Sequence, residues 1–195
     1  MVEYNLSFPE VIRVFPVLKR ESFSISMKIR AGILTISDKS FRGEREDLSS
    51  QVIRELLGRL DSEIVRYDIV PDEVDIISRK LTDWADDGAI DVIVTTGGTG
   101  LSPRDVTPEA TLAVVDKVVP GFGEAMRIKT LEKTPMAMLS RATAGVRRRC
   151  LIINLPGNPK AVRECLEVIL PAITHAIEII TEVVTEHVVK KEGQS

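Results

Sequence analysis

Four short apolar runs, each followed by a stretch with helical spacing, set the pattern of the chain. IRAGILTI (Ile29–Ile36) is a nearly continuous apolar run rich in β-branched residues, as a strand covered on both faces requires. A charged loop follows (SDKSFRGERED), and Ser49-Ser50 then precede QVIRELLGRL, whose apolar positions recur at helical spacing. EIVRYDIV (Glu63–Val70) reads as a second strand, after which Pro71-Asp72-Glu73 opens the helical pattern VDIISRKLTDWADDG, stopped at Gly88. DVIVTT (Asp91–Thr96) is the third strand, followed by a glycine loop and a helix starting at Thr107-Pro108-Glu109. CLIINL (Cys150–Leu155) is the fourth, and PGNPKAVRECLEVIL leads from it into a long C-terminal helix. Strands alternating with helices through short loops predict a doubly wound α/β fold, a mainly parallel sheet with helices on both faces. Between Pro120 and Val146 the helical pattern is broken by Gly and Pro, which predicts short helices or an irregular insertion.

Residues 29–180 therefore form one expected domain. Residues 1–28, with two Phe-Pro pairs and no sustained period, read as an irregular N-terminal extension, and residues 181–195 as the end of the last helix and a polar tail. A chain of 195 residues that is 44% hydrophobic and 28% charged has the material for one sizeable core. Its net charge of -3, with both signs spread along the chain, gives no basic footprint for nucleic acid. The local run Arg147-Arg148-Arg149 reads as a solvated turn. Cys150 sits in an apolar run and Cys165 in a helical pattern, so neither a disulfide framework nor a cysteine metal site is indicated, and a reducing cytoplasm is expected. No apolar stretch is long enough to cross a bilayer, and the N-terminus lacks the pattern of an export signal.

Sheets of this kind place ligands at the carboxyl ends of their strands. The strand ends here carry Thr35-Ile36-Ser37-Asp38, Pro71-Asp72, Gly97-Gly98-Thr99-Gly100 through Asp105, and Pro156-Gly157-Asn158. A glycine turn between strand and helix either cradles a phosphate with inward-pointing N–H groups or is a plain turn, and the pattern alone leaves both open. The loop is neither a P-loop nor a dinucleotide fingerprint, because no Gly-Lys-Ser/Thr follows and the third glycine is missing. Asp105 is not needed as a cap, since Thr107 is placed to cap and Pro108 suits the first helical turn. It therefore either pairs with Arg104 or solvent, or ligates Mg²⁺. Asp72 reads equally as a helix cap, and Asn158-Pro159 as a cap with a first-turn proline. Carboxylates at three strand ends beside a glycine loop shift the balance toward an anion-and-metal site. His175 and His187 both lie in the late helical stretch, which leaves zinc hydrolysis and Ser/His/Asp catalysis with little to rest on.

Together, TTGGTGLSPRDVTPEAT, PGFGEAMR, PMAMLSRATAG and LIINLPGNPKAVRECLE, with TISD and VPDE before them, resemble the molybdopterin adenylyltransferase family. This is the MogA/MoaB type, which also forms the G domain of plant and animal fusion proteins, and the resemblance spans about residues 29–180. A lone GGTG also occurs in the related molybdenum insertase, whereas the ordered set is specific. The resemblance implies a MogA-like fold and an enzyme of molybdenum cofactor synthesis. Such an enzyme transfers AMP from ATP to the terminal phosphate of molybdopterin, with Mg²⁺ required and pyrophosphate released. It implies that Asp72 and Asp105 are the catalytic, metal-holding carboxylates and that Ser140 serves pterin binding. Thr35, Ser37, Asp38, Gly97, Gly98, Thr99, Gly100, Pro156, Gly157 and Asn158 correspond to pocket loops. Implied partners are molybdopterin, ATP and the MoeA-type insertase, with homo-oligomers that are typically trimers, or hexamers among MoaB types. A non-catalytic pterin carrier on the same fold is the alternative, and a scaffold a third reading; retention of Asp72, Asp105 and Ser140 favours the enzyme. One departure stands out: the family's Asp-x-Ser-Gly pattern is Asp47-Leu48-Ser49-Ser50 here, where Ser49 is expected to cap the helix.

Overall fold

The computed structural model describes residues 28–182. Most of the expected extension (1–28) and tail (181–195) therefore lies outside the described residues. In chain order the elements are β1 (Ile29–Ile36), α1 (Asp38–Phe41), α2 (Leu48–Leu57), β2 (Ser62–Val70), α3 (Val74–Asp86) and β3 (Val92–Thr96). There follow α4 (Thr107–Leu112), β4 (Lys117–Val118), α5 (Pro120–Leu131), a 3-10 helix (Pro135–Leu139), β5 (Ala144–Arg147), β6 (Cys150–Leu155) and α6 (Pro159–Thr181). The sheet runs β2-β1-β3-β6-β5-β4. Its first four strands are mutually parallel, and β5 and β4 are antiparallel additions at one edge.

In the inner strands β1, β3 and β6 successive residues alternate between two cores, which is why their sequences are largely apolar, whereas the edge strand β2 alternates half-buried with exposed positions over most of its length. Ala31 and Ile33, Val92 and Val94, and Leu151, Ile153 and Leu155 face the core closed by α2, α5 and α6. Leu34 and Ile36, Ile93, and Cys150 and Ile152 face the core closed by α3 and α4, where Trp84, Leu81 and Ile77 pack. Both cysteines are buried and free. No helix among the described residues is long and apolar enough to cross a membrane.

In-register pairing aligns the strand ends. Thr35 lies opposite Thr96, Thr96 opposite Leu155, and Ile36 opposite Val70, so all four parallel strands stop at one edge and release their loops together.

The stretch between Pro120 and Val146 is more regular than expected. Pro120 occupies the first turn of α5, a continuous 12-residue helix despite Gly121 and Gly123. Gly123 breaks the apolar pattern for a packing reason: a Cβ there would stand 2.4 Å from the carbonyl oxygen of Ala142. β4 and β5, which the sequence pattern did not show, have two and four residues, too few to display a period of two. The arginine run closes the β5–β6 hairpin, with Arg147 opposite Cys150 and Arg148 at φ 51°. Arg148 and Arg149 are exposed as expected of a turn, but Arg147 is half-buried. Its Nη2 lies 2.6 Å from Asp86, and its Nη1 donates to the Val114 carbonyl at 2.8 Å.

Candidate active site

A cleft of about 620 Å³ opens along the aligned strand ends. It is lined by Thr35, Ser37, Asp72, Gly97, Gly98, Thr99, Gly100, Asp105, Ser140, Pro156, Gly157 and Asn158. Of the residues singled out from the sequence, only Asp38 stands behind this wall.

The glycine loop forms the floor. Gly97 (φ 104°) and Gly98 (φ 61°) lie in the region that residues with a Cβ rarely adopt. Neither site has room for a side chain, since a Cβ on Gly97 would stand 2.1 Å from the Ile36 carbonyl oxygen and one on Gly98 2.3 Å from Thr107 Oγ1. Thr107 holds the turn rather than capping α4: its hydroxyl donates to Gly97 O (2.8 Å) and its N–H to Gly98 O (3.0 Å). Among the described residues the N–H groups of Gly98, Thr99 and Gly100 donate to no protein acceptor, which leaves three consecutive donors for an anion. Thr96 ties the floor to the opposite rim through a 2.7 Å hydrogen bond from its hydroxyl to Pro156 O.

The two carboxylates lean on this bare backbone at two different glycines. Asp72 Oδ1 lies 3.1 Å from where a Cβ of Gly98 would be, and Asp105 Oδ2 lies 2.9 Å from the corresponding point on Gly100. Asp72 is not a helix cap. Its Oδ2 accepts from the Asp38 N–H (2.8 Å), while Asp38 Oδ1 accepts from the Asp72 N–H (3.1 Å). Partial burial, and the negative charges of Asp38 and Asp105, raise the Asp72 carboxyl above the usual carboxylate range. Asp105 does not pair with Arg104; its Oδ2 accepts from the Ser102 N–H at 2.8 Å. Arg104 instead grips Asp38 with Nε (3.1 Å) and Nη2 (3.0 Å), and Glu73 with Nη1 (2.8 Å). That guanidinium holds the Asp38 carboxyl below its ordinary value. Asp38 is thereby an ionised, salt-bridged support for Asp72 and is not among the residues lining the cleft.

Asn158 is the N-cap of α6, its Oδ1 accepting from Lys160 N–H (2.9 Å) and Ala161 N–H (3.4 Å), so it serves fold and cleft wall together. Ser37 likewise caps α1, accepting from Ser40 N–H at 3.2 Å. Ser140 ends the 3-10 helix, and its neighbour Arg141 fastens that segment to the glycine loop. Arg141 donates from its backbone to Thr99 O (2.9 Å), from Nε to Gly100 O (2.7 Å) and from Nη2 to Asp105 O, and pairs with Glu109 through Nη1. Sequence reasoning missed Arg141, because its carbonyl partners leave no trace in residue type.

The departure at Ser50 falls off the cleft. Helix α2 begins one residue before Ser49, and Asp47, not Ser49, is its cap, accepting from the Ser50 N–H at 3.0 Å. Asp47 also accepts from the hydroxyls of Thr35 and Tyr67, the latter at 2.9 Å. Burial raises the Asp47 carboxyl, but the hydrogen bonds from Thr35, Ser50 and Tyr67 outweigh it and leave the carboxyl below its ordinary value. Ser49 faces the cleft and donates its hydroxyl to Gly157 O at 2.9 Å. Ser50 is an ordinary buried helical residue, for which glycine is not required.

A model described as "Probable molybdopterin binding domain" matches residues 32–175. The molybdopterin adenylyltransferase of Helicobacter pylori (strain J99) is 48% identical over 154 residues, which cover 78% of this chain and 88% of that protein. The molybdopterin adenylyltransferase of Escherichia coli K12 is 41% identical over 141 residues, covering 71% and 72% respectively. Among solved structures, the molybdopterin biosynthesis enzyme MoaB of Thermus thermophilus superposes with a TM-score of 0.76 at 54% identity, covering 79% of this chain and 97% of that one. The matched span carries the glycine loop, both carboxylates and every loop that lines the cleft, and by it the chain belongs to the molybdopterin adenylyltransferase family of MogA/MoaB type.

Proposed function

We propose that the cleft binds Mg²⁺-ATP and molybdopterin and transfers AMP to the terminal phosphate of the pterin, in the cytoplasm and as a homo-oligomer that passes its product to the MoeA-type insertase. The observation that carries this reading is the meeting of three unclaimed backbone N–H groups with two cleft-facing carboxylates, Asp72 and Asp105, at one sheet edge.

Two carboxylates without a third protein ligand fit Mg²⁺, which is held through one or two carboxylates together with substrate phosphates and water; among the described residues no cluster of three or more acidic, His or Cys ligands exists. Asp72 carries the electrostatic burden expected of such a pair, its ionised form disfavoured by burial and by Asp38 and Asp105 until a cation arrives. When bound, the ion supplies charge neutralisation on the α-phosphate and the leaving pyrophosphate.

The remaining work is positioning. The amides of Gly98, Thr99 and Gly100 orient phosphate oxygens, and Ser140 and the Pro156–Asn158 loop frame the pterin side of the cleft. An oxygen of the pterin phosphate attacks Pα, the Pα–O bond to the β-phosphate breaks, and pyrophosphate leaves with that electron pair. The attacking phosphate has a second pKa of about 6 and is mostly ionised near neutral pH, so no general base is needed and the lack of a histidine among the described lining residues is no obstacle. The test is pterin-dependent release of pyrophosphate from Mg²⁺-ATP, compared with Asp105→Asn. Release lost in the variant supports the reading, and tight pterin binding without release identifies a carrier.

A further inference from the structure

Among the described residues, five charged side chains line the cleft: Glu46, Asp47, Asp72, Asp105 and a single cation, Arg45. The other charges of the loop that carries Arg45 each have a partner. Arg42 Nε lies 2.7 Å from Glu44, Glu46 accepts from the Gln51 amide at 3.1 Å, and Asp47 is held by Thr35, Tyr67 and Ser50. Arg45 has no ion pair among the described residues. Its hydrogen bond runs from Nη2 to Ser37 Oγ at 2.9 Å, leaving four of the five guanidinium N–H donors free. Ser37 is itself fixed, because the same oxygen caps α1 by accepting from Ser40 N–H. An arginine of this loop is thus anchored at the end of β1 with its fork unspent.

A cleft lined by four carboxylates and one guanidinium repels the polyanions that the reading above brings to it, unless each phosphate meets a positive partner. At the floor, the glycine-loop amides, and a cation held by Asp72 and Asp105, supply such partners. Among the described residues the Arg45 guanidinium, anchored on Ser37, is the one cationic side chain in the lining, and its planar fork matches two oxygens of a phosphate. We propose that Arg45 is the substrate-binding residue that grips a phosphate on the Ser37 side of the cleft, either the phosphomonoester of the pterin or a phosphate of the nucleotide. This rests on the functional reading above.

Titration calorimetry on the full chain separates the two sources, with the magnesium complex of α,β-methylene-ATP in one arm and molybdopterin in the other. Arg45→Ala is expected to weaken one of the two by about ten- to a hundredfold, the worth of a charge-assisted hydrogen bond, and the arm that weakens identifies the phosphate. Arg45→Lys restores part of the loss by keeping charge without the fork. Arg45→Gln, which retains an amide to meet Ser37, takes the place of the alanine variant if its thermal midpoint falls. Wild-type affinity for both ligands in the alanine and glutamine variants, with pyrophosphate release intact, overturns the assignment of Arg45 and leaves the reaction standing. Failure of the wild-type protein to bind either ligand overturns both.

Discussion

Replacing Asp47 with alanine removes a carboxylate that does three jobs at the rim of the cleft, and its cost can be worked from its partners. The loss of the cap on α2 is worth about 1 kcal/mol, because the buried Ser50 N–H is left without its acceptor. Thr35 is 4% exposed, so its hydroxyl has no water to turn to and costs about 1–3 kcal/mol more. Tyr67 is 41% exposed, its hydroxyl returns to solvent, and it adds little. The expected total is about 2–4 kcal/mol. For a chain of this size it appears as a fall of roughly 4–16 °C in thermal midpoint, read by circular dichroism or calorimetry. Asp47→Asn keeps an oxygen for Ser50 N–H and is expected to lose about 1 kcal/mol, the charge-assisted part alone. The two variants also separate by pH. The folded Asp47 carboxyl titrates below its unfolded value of about 3.9, so its contribution is complete above that value and is lost as pH falls through the folded one. Asp47→Asn should lack that part of the acid limb. An alanine variant within about 0.5 kcal/mol of wild type at pH 7, the range of ordinary surface substitutions, would refute the reasoning.

Other expectations bear on the floor and its carboxylates. Gly97→Ala must place a methyl 2.1 Å from a backbone oxygen at φ 104°, so a loss of more than about 2 kcal/mol is expected in chemical denaturation, and a wild-type midpoint would contradict it. Asp72→Asn should abolish AMP transfer yet leave the thermal midpoint at pH 7 equal or higher. The raised folded pKa means that the ionised carboxylate costs stability as pH rises through it, and a clear fall in midpoint would show that the carboxylate stabilises the fold. Arg141→Ala removes two side-chain hydrogen bonds to loop carbonyls and the ion pair with Glu109; amide exchange over residues 97–105 should speed up and nucleotide affinity fall, and unchanged exchange would rule out the clamp.

What the sequence disclosed and what it hid follow from the length and directness of each signal. β1 and β6 have the limits read from their apolar runs, because parallel strands buried on both faces write themselves as unbroken hydrophobic stretches. The cleft loops were legible for a related reason, since glycine, proline and aspartate at strand ends mark turns with few alternative uses. Roles within those loops were not. Thr107, Asp72 and Ser49 all look like caps in sequence, yet the caps of α4, α3 and α2 are Val106, Glu73 and Asp47. A hydroxyl or carboxylate near a helix start can bond forward to the helix or across to another loop, and only the tertiary approach of the Gly97 turn to Thr107, or of Asp38 to Asp72, decides which. Arg104 illustrates the same limit: adjacent to Asp105 in the chain, it turns away to Asp38 and Glu73, whose strand ends the sheet order brings beside it.

On this reading Asp72 and Asp105 serve adenylyl transfer to molybdopterin over the glycine-loop floor. Their role is tested most directly by measuring pyrophosphate released from Mg²⁺-ATP by purified protein, with and without molybdopterin, alongside Asp105→Asn. Release is expected to require the pterin and to be lost in the variant with an unchanged thermal midpoint. Pterin-dependent release at the wild-type rate from Asp105→Asn, or tight pterin binding with no release from the wild-type protein, would contradict it.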